Sequence, residues 1–290
     1  MMTRRTFIHR TGSAAAALAL PGLQRASRFK MGLQLYTVRA PMRTDVAGTI
    51  QKIAAMGYEE AETYGFDPDT IGFYGMPAKA FADTLTANRI TTPSGHYDLN
   101  RYAGAPIEEL TRYVDRCIEG AKILGQSYIT WPYLDEPWRT LDKIRIVAQR
   151  LNVIGAQIKK AGLQLAYHHH DFEFVNHDGQ IGYDIILKET DPALVKMQTD
   201  LYWMAHAAQN VHEWFLRAPG RFVMWHVKDM HKVSRDYTEL GNGSIDFTKI
   251  WPDTKLSGLR HYFVEQGGNF AKDPLSSVAQ SAEYMKKVSL

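Results

Sequence analysis

Val223-Met224-Trp225-His226-Val227-Lys228-Asp229 is an apolar run that breaks off into side chains able to bind a cation. Three other segments do the same: His168-His169-His170-Asp171-Phe172-Glu173-Phe174, Met197-Gln198-Thr199-Asp200-Leu201-Tyr202-Trp203 and His261-Tyr262-Phe263-Val264-Glu265-Gln266-Gly267-Gly268. Each reads as a buried strand that finishes in a polar residue. The four residues in question are Glu173, Asp200, His226 and Glu265. Side chains from four distant segments meet only in a fold that gathers strand ends. A parallel barrel does so, because its functional residues stand at the C-terminal ends of successive strands.

The rest of the chain agrees. From Arg28 onward, short apolar runs alternate with longer helical patterns, which points to a parallel sheet with crossover helices. Strands are expected at 31–38, 58–63, 90–96, 127–131, 163–168, 195–199, 222–227 and 259–265. Helices are expected at 44–56, 77–88, 106–124, 137–160, 183–188 and 211–216, from 247 onward, and at 274–288. Gly57 and Gly125 stop the first and third helices, and Pro77 and Pro106 open the second and third. A loop rich in Gly, Pro and Asp covers 65–76. Residues 28–290 therefore read as a single (β/α)8 TIM barrel, a fold that typically needs about 250 residues. An open dinucleotide-binding sheet would want glycines after the first strand. Gln34-Leu35-Tyr36-Thr37-Val38-Arg39 has none, and neither a P-loop nor a Gly-x-Ser-x-Gly elbow occurs.

Of the 290 residues, 45% are apolar and 22% charged, enough for a full-sized core. The net charge of +3 and the lack of Lys/Arg runs beyond the N-terminus argue against nucleic acid or an anionic membrane surface as partner. Residues 1–27 read as a twin-arginine signal peptide. Arg4-Arg5 precede a short Ala-rich apolar stretch and then a polar segment. That stretch is too short to span a bilayer. The expected location is the periplasm, with no membrane attachment of the mature form; an ordinary basic N-terminus is the alternative. Cys117 is the only cysteine, so an internal disulfide is excluded, and its helical setting marks it as a small core residue.

Glu173, Asp200, His226 and Glu265 make a hard donor set with one imidazole. It suits Mn²⁺, Mg²⁺, Co²⁺ or Fe²⁺ better than a structural zinc. Each residue alone could equally be an ion-paired barrel residue. Strand alternation directs His168 and His170 to one side and His169 to the other. Glu173 lies beyond its strand and must fold back to join the others, so His168 is the alternative fourth ligand. Lys228 stands two residues after His226 and shares its side, where a cation could stabilise a developing oxyanion; the alternative is a surface lysine. Glu62 ends the second strand and could hydrogen-bond sugar hydroxyls. Trp131 and Trp203, with Tyr133 and Trp138, could wall a sugar ring, although such aromatics are more often core.

Gly32-Leu33-Gln34-Leu35-Tyr36-Thr37-Val38-Arg39, Tyr167-His168-His169-His170-Asp171-Phe172-Glu173-Phe174, Asp200-Leu201-Tyr202-Trp203, His226-Val227-Lys228-Asp229 and Val264-Glu265-Gln266 together resemble the xylose-isomerase-like TIM barrel superfamily. The resemblance extends over about Lys30 to Lys287, and is strongest to the sugar phosphate isomerase/epimerase branch related to inosose dehydratase. It implies a divalent ion held by Glu173, Asp200, His226 and Glu265, and a substrate or acid–base role for His96. Many relatives carry the first Glu inside the fifth strand, where this chain has His168.

The resemblance thus implies a metal-dependent sugar isomerase or epimerase that acts on a keto sugar through an enediolate. Glu173 and Glu265 are the expected proton-transfer pair, with His96 as an alternative base and Lys228 as the cation near the reacting oxygen. Glu62, His168, His170, Trp131 and Trp203 are the expected substrate contacts. A lyase, either a dehydratase or a 3-keto-glycoside eliminase, would use the same enediolate. A third reading is an exported sugar-binding protein without turnover. The expected partner is a small sugar or keto-glycoside; association into a homo-oligomer stays open.

Overall fold

The computed structural model describes residues 29–288. The expected signal peptide at 1–27 lies outside the described residues. Eight strands form a closed barrel: β1 Met31–Gln34, β2 Glu60–Thr63, β3 Thr91–His96, β4 Tyr128–Trp131, β5 Gln164–His168, β6 Val195–Asp200, β7 Met224–Val227 and β8 His261–Val264. Every neighbouring pair is parallel, and β8 closes on β1 through Met31, Gly32 and Leu33. The (β/α)8 reading of the sequence therefore holds.

The main helices are α1 Val46–Ala55, α2 Ala78–Ala87, α3 Ile107–Leu124, α4 Leu141–Lys160, α5 Gly182–Glu189, α6 Leu201–His206, α7 Val211–Arg217 and α8 Pro274–Lys287. Their ends follow local chemistry. Asp45 caps α1 by accepting from the Gly48 N–H, Thr140 caps α4, and Asp273 caps α8. Gly125 ends α3 in the left-handed conformation, with φ 71°. Cys117 is buried on the core side of α3, as expected. No helix among the described residues is long and apolar enough to cross a membrane.

Several boundaries differ from those expected. β1 stops at Gln34, because the chain tightens into a 3-10 turn at Leu35–Val38 once the Gln34 side chain accepts from the Tyr36 N–H. The loop at 65–76 contains a small three-stranded antiparallel sheet made of Phe66–Asp67, Gly72–Phe73 and Met76–Pro77. Pro77 and Pro106 cap their helices from outside rather than opening them. The helix expected at 137–160 begins at Leu141, after a 3-10 turn at Glu136–Trp138. The α6 helix was not foreseen; Asp200 starts it by accepting from the Tyr202 and Trp203 N–H groups. The segment from 247 forms 3-10 turns and one short helical turn, Thr254–Ser257.

The inside of the barrel is layered. Ala166, Met224 and Phe263 form an apolar floor. Gln34, Glu62, Ser94, Thr130, Gln198 and His226 make a buried polar layer above it. Outward-facing residues pack against the helices: Trp225 stacks on Phe215 and Trp251, with ring centroids 5.3 and 5.9 Å away. A loop after β7 is held by buried Asp229, whose carboxylate accepts from the Met230, Gly241, Gly243 and Ile245 N–H groups. Gly32 is what lets Phe263 fill the floor, since a Cβ there would stand 2.6 Å from the Phe263 ring and 2.3 Å from the Tyr262 carbonyl oxygen. The carbonyl belongs to the backbone of the adjacent strand and cannot swing away. Gly32→Ala is expected to destabilise the fold by about 1–3 kcal/mol, read as a lower denaturant midpoint at unchanged slope.

Candidate metal centre and sugar pocket

Strand alternation delivers the site. On β7 and just beyond it, Met224, His226 and Lys228 point inward; on β6, Gln198 and Asp200 do; Glu265 follows β8 on the same parity as Phe263. Ligand atoms of Asp200, His226 and Glu265 lie within 4.8 Å of one another, so these three can share one ion. His168 stands beside them, with Nε2 3.9 Å from Asp200 Oδ2 and its ring centroid 4.6 Å from that of His226. Lys228 is buried, not a surface lysine. Its Nζ lies 2.8 Å from Asp200 Oδ2 and 2.6 Å from Glu265 Oε2.

Beneath this group sits Glu62, which is fully buried. One oxygen accepts from His226 Nε2 at 2.6 Å and Gln34 Nε2 at 2.7 Å, with His96 Nε2 3.2 Å away. The other accepts from Ser94 Oγ and Gln198 Nε2, both at 2.6 Å. Burial pushes the Glu62 carboxyl up, but the His96 and His226 imidazoles overcome this and hold it well below the usual range. Burial likewise works against Glu265, and Lys228 and His226 bring it well down. His226 is opposed by burial too, yet the Glu265 and Glu62 carboxylates raise it to about 10. Lys228 is raised against burial by Asp200 and Glu265. Without an ion, His226 is therefore an imidazolium between two carboxylates.

The donor set fits a divalent cation. Three buried carboxylates, Glu62, Asp200 and Glu265, face two cations, His226 and Lys228, which leaves one negative charge uncompensated. Exchange of the His226 proton for a divalent ion brings the cluster to neutrality. Asp200 Oδ2 is buried and, among the described residues, has no donor apart from the ammonium of Lys228. The ring orientations are also set. His226 donates through Nε2 to Glu62, which leaves Nδ1 facing Glu265. His168 donates through Nδ1 to Gln198 Oε1 at 3.0 Å, which leaves the Nε2 lone pair on the Asp200 side. Outer hydrogen bonds of this kind fix metal-ligand tautomers. Asp200, His226 and Glu265 are the residues that could hold the ion, with His168 beside Asp200; His96, His168 and His226 form a second such group around the same imidazole.

Glu173 is not among them. Tyr167 alternates outward from the axis, and Glu173 follows it, accepting from the Tyr167 hydroxyl at 2.7 Å and the His170 N–H at 2.9 Å. Burial pushes its carboxyl up to about 7 despite these two hydrogen bonds. The expected Glu173–Glu265 pair is not assembled. Glu62 also departs from expectation. Its oxygens are spent on protein donors below the cavity, so it does not offer them to a sugar. Trp131 is fully buried on the shell side of β4, where Nε1 donates to the Tyr133 carbonyl; it walls nothing. Trp138 sits under Lys143, also away from the cavity.

Above the cluster opens a cavity of about 620 Å³, lined by Tyr36, Tyr64, Gly65, Phe66, His96, Tyr97, Asp98, Pro132, Tyr133, His168, His170, Trp203, Lys228, Tyr237, Glu265 and Gly267. Of the expected site residues, His96, His168, His170, Trp203, Lys228 and Glu265 line this cavity. His96 Nε2 donates to Gln198 Oε1 at 2.7 Å. Two buried nitrogens of lining residues, His170 Nδ1 and Trp203 Nε1, have no hydrogen-bond partner among the described residues. Unpaired buried polar atoms are costly and stand ready for ligand hydroxyls. Gln34, Ser94, Gln198 and Tyr237 were not foreseen. Gln198 was within reach, since it precedes Asp200 by two residues and shares its face.

Residues 50–287 match the Xylose isomerase-like TIM barrel family. The chain belongs to this family. Its relatives include the inosose dehydratase of Clostridium perfringens, 28% identical over an alignment of 173 positions that covers 53% of this chain and 55% of the relative. The chain thus spans about half the length of the curated relatives it matches. Among solved structures, a sugar phosphate isomerase/epimerase from Parabacteroides distasonis superposes with a TM-score of 0.78 at 25% identity, covering 92% of this chain and 98% of that one. A structure described as the IOLI protein with a binding zinc atom shares the fold at a TM-score of 0.71 and 15% identity, covering 90% and 98%.

Two outcomes are expected. His168→Ala lowers Mn²⁺ or Zn²⁺ affinity by about 10–100-fold in calorimetric titration, whereas Glu173→Gln leaves it within about twofold. The second concerns pH. The unfolded chain releases the Glu173 proton near pH 4.5 and the folded chain near pH 7, so the folded state binds more protons between these values. Stability attributable to this group is present below that window and is lost as pH rises through it, on the order of 3 kcal/mol. Glu173→Gln flattens that part of the melting-temperature profile; an unchanged slope refutes the assignment.

Proposed function

We propose that the protein takes a proton from the carbon beside the carbonyl of a keto sugar and returns it elsewhere, as an isomerase or epimerase working through an enediolate. The observation that carries this reading is the meeting of Asp200, His226, Glu265 and His168 at the floor of a polar cavity. A divalent ion bound by these residues would polarise the sugar carbonyl and stabilise the enediolate. The names of the inosose dehydratase and isomerase/epimerase relatives support the same chemistry of ketones and polyols.

The chain's own residues supply the remainder. His96 lines the cavity, with Nε2 engaged by Gln198 and Glu62, which leaves Nδ1 to meet the substrate. A carboxylate behind a histidine orients the ring and stabilises its protonated form, the arrangement of a general base. Lys228 reaches the same cavity and would face the negative charge that develops on the sugar oxygen. His170 Nδ1 and Trp203 Nε1 would bind hydroxyls and hold the ring. His96 thus takes the proton-transfer role in place of Glu173.

A lyase is the second reading. The same proton abstraction leads to loss of a β-substituent, and the dehydratase relatives favour it. Export of the chain by the twin-arginine route to the periplasm belongs to our proposal as well, resting on residues 1–27.

Incubation of metal-loaded protein with keto sugars in D₂O separates these readings. Deuterium at the α-carbon of a rearranged sugar marks the isomerase, and an unsaturated product marks the lyase. Solvent exchange is expected to fall by about 10²–10⁴-fold in His96→Ala and to vanish in Glu265→Gln. Full exchange in Glu265→Gln, or none in the wild-type protein with any keto sugar, sinks the proposal.

A further inference from the structure

Among the described residues, two aromatic side chains stand in the group of large hydrophobics left exposed: Tyr36, 43% accessible, and Tyr133, 40% accessible. Both line the same cavity. Tyr36 follows β1 and Tyr133 follows β4, which are separated by β2 and β3 on one side of the ring and by four strands on the other. The two rings therefore stand on opposite sides of the mouth, above the reacting centre.

Neither ring is loose. The Arg39 guanidinium lies 4.3 Å from the Tyr36 ring centroid and donates to the Tyr36 and Gly267 carbonyl oxygens. Arg139 lies 5.2 Å from the Tyr133 centroid and donates to the Tyr133 hydroxyl and the Leu134 carbonyl. Exposed aromatics held in place lose little freedom when a ligand arrives, so they are efficient anchors. Arg39 and Arg139 are engaged in these contacts, and Lys228 is ion-paired with Asp200 and Glu265. The cavity, at about 620 Å³, falls in the range that takes a ligand larger than one six-membered ring.

We propose that the mouth is an outer subsite for a second ring, and that the substrate is a keto-glycoside whose aglycone or second sugar lies between Tyr36 and Tyr133. This rests on the proton-abstraction reading above and narrows its substrate from keto sugars in general. The reacting ring sits deep, where His170 and Trp203 offer their unpaired nitrogens. The second ring stacks at the rim through its apolar face.

The test is calorimetric titration with p-nitrophenyl pyranosides of D-glucose, D-galactose and D-xylose, in both anomeric forms, against the free sugars and their 1-phosphates. At least one glycoside is expected to bind about tenfold tighter than its free sugar. The combined Tyr36→Ala and Tyr133→Ala variant should erase that gain, read as the ratio of glycoside to free-sugar affinity; both residues are exposed, so the fold is spared. The subsite is overturned if no glycoside outbinds its free sugar, if the gain survives the double variant, or if a 1-phosphate binds tightest. The two readings fail separately. Deuterium exchange into free keto sugars without glycoside preference removes the subsite alone. Tyrosine-dependent glycoside selectivity without exchange into any keto compound removes the reaction and leaves the subsite.

Discussion

The structure hangs on one buried carboxylate. Glu62 lies at the barrel axis with no access to solvent, a position that costs several kcal/mol unless the charge is fully hydrogen-bonded. Its donors come from β1, β3, β6 and β7, that is, from Gln34, Ser94, Gln198 and His226. Only β1 and β3 adjoin β2 in the ring; the other two reach across the axis. The charge thus ties together strands that share no backbone ladder. Removing a single donor would leave a buried charge poorly paired, a change that typically costs about 3–5 kcal/mol.

From this anchor the chemistry above is ordered. Glu62 fixes the His226 tautomer, and Gln198, which donates to Glu62, in turn receives His96 and His168. Three imidazoles are aimed by two residues that never touch a substrate. The polar layer therefore separates an apolar floor, which holds the barrel closed, from a mouth where charge is concentrated. Asp229 extends the order to the rim by pinning the loop that carries Tyr237 over the cavity. Aromatic contacts complete the wall, with Tyr237 4.8 Å from Tyr202 and Trp203 5.2 Å from His170 between ring centroids.

The misreadings of single residues share a cause. Glu173 carries a ligand type and follows a strand, yet it pairs with Tyr167, which strand alternation sends toward the helices. Trp131 neighbours Thr130, which faces the axis and meets Ser94, so Trp131 must face away. Glu62 ends its strand and faces the axis, but the loops beyond set the rim, so it lies too deep to bind sugar hydroxyls. For Glu173 and Trp131 the chemistry is legible in the sequence and the direction is not; for Glu62 the direction is legible and the depth is not.

The sequence by itself determined the barrel, the ends of β6, β7 and β8 that converge, and the shared side of His226 and Lys228, because hydrophobic periodicity and the two-residue repeat of a strand are local properties. It also left His168 open as a ligand. Tertiary structure alone set His168 beside Asp200 and turned Glu173 toward Tyr167, gave Glu62 its role as hub, and set Tyr36 opposite Tyr133. Those outcomes depend on which strands face one another across a closed ring, and on how far each loop folds back over it. Such long-range distances are fixed by closure and packing of the whole barrel, which no short window of sequence encodes.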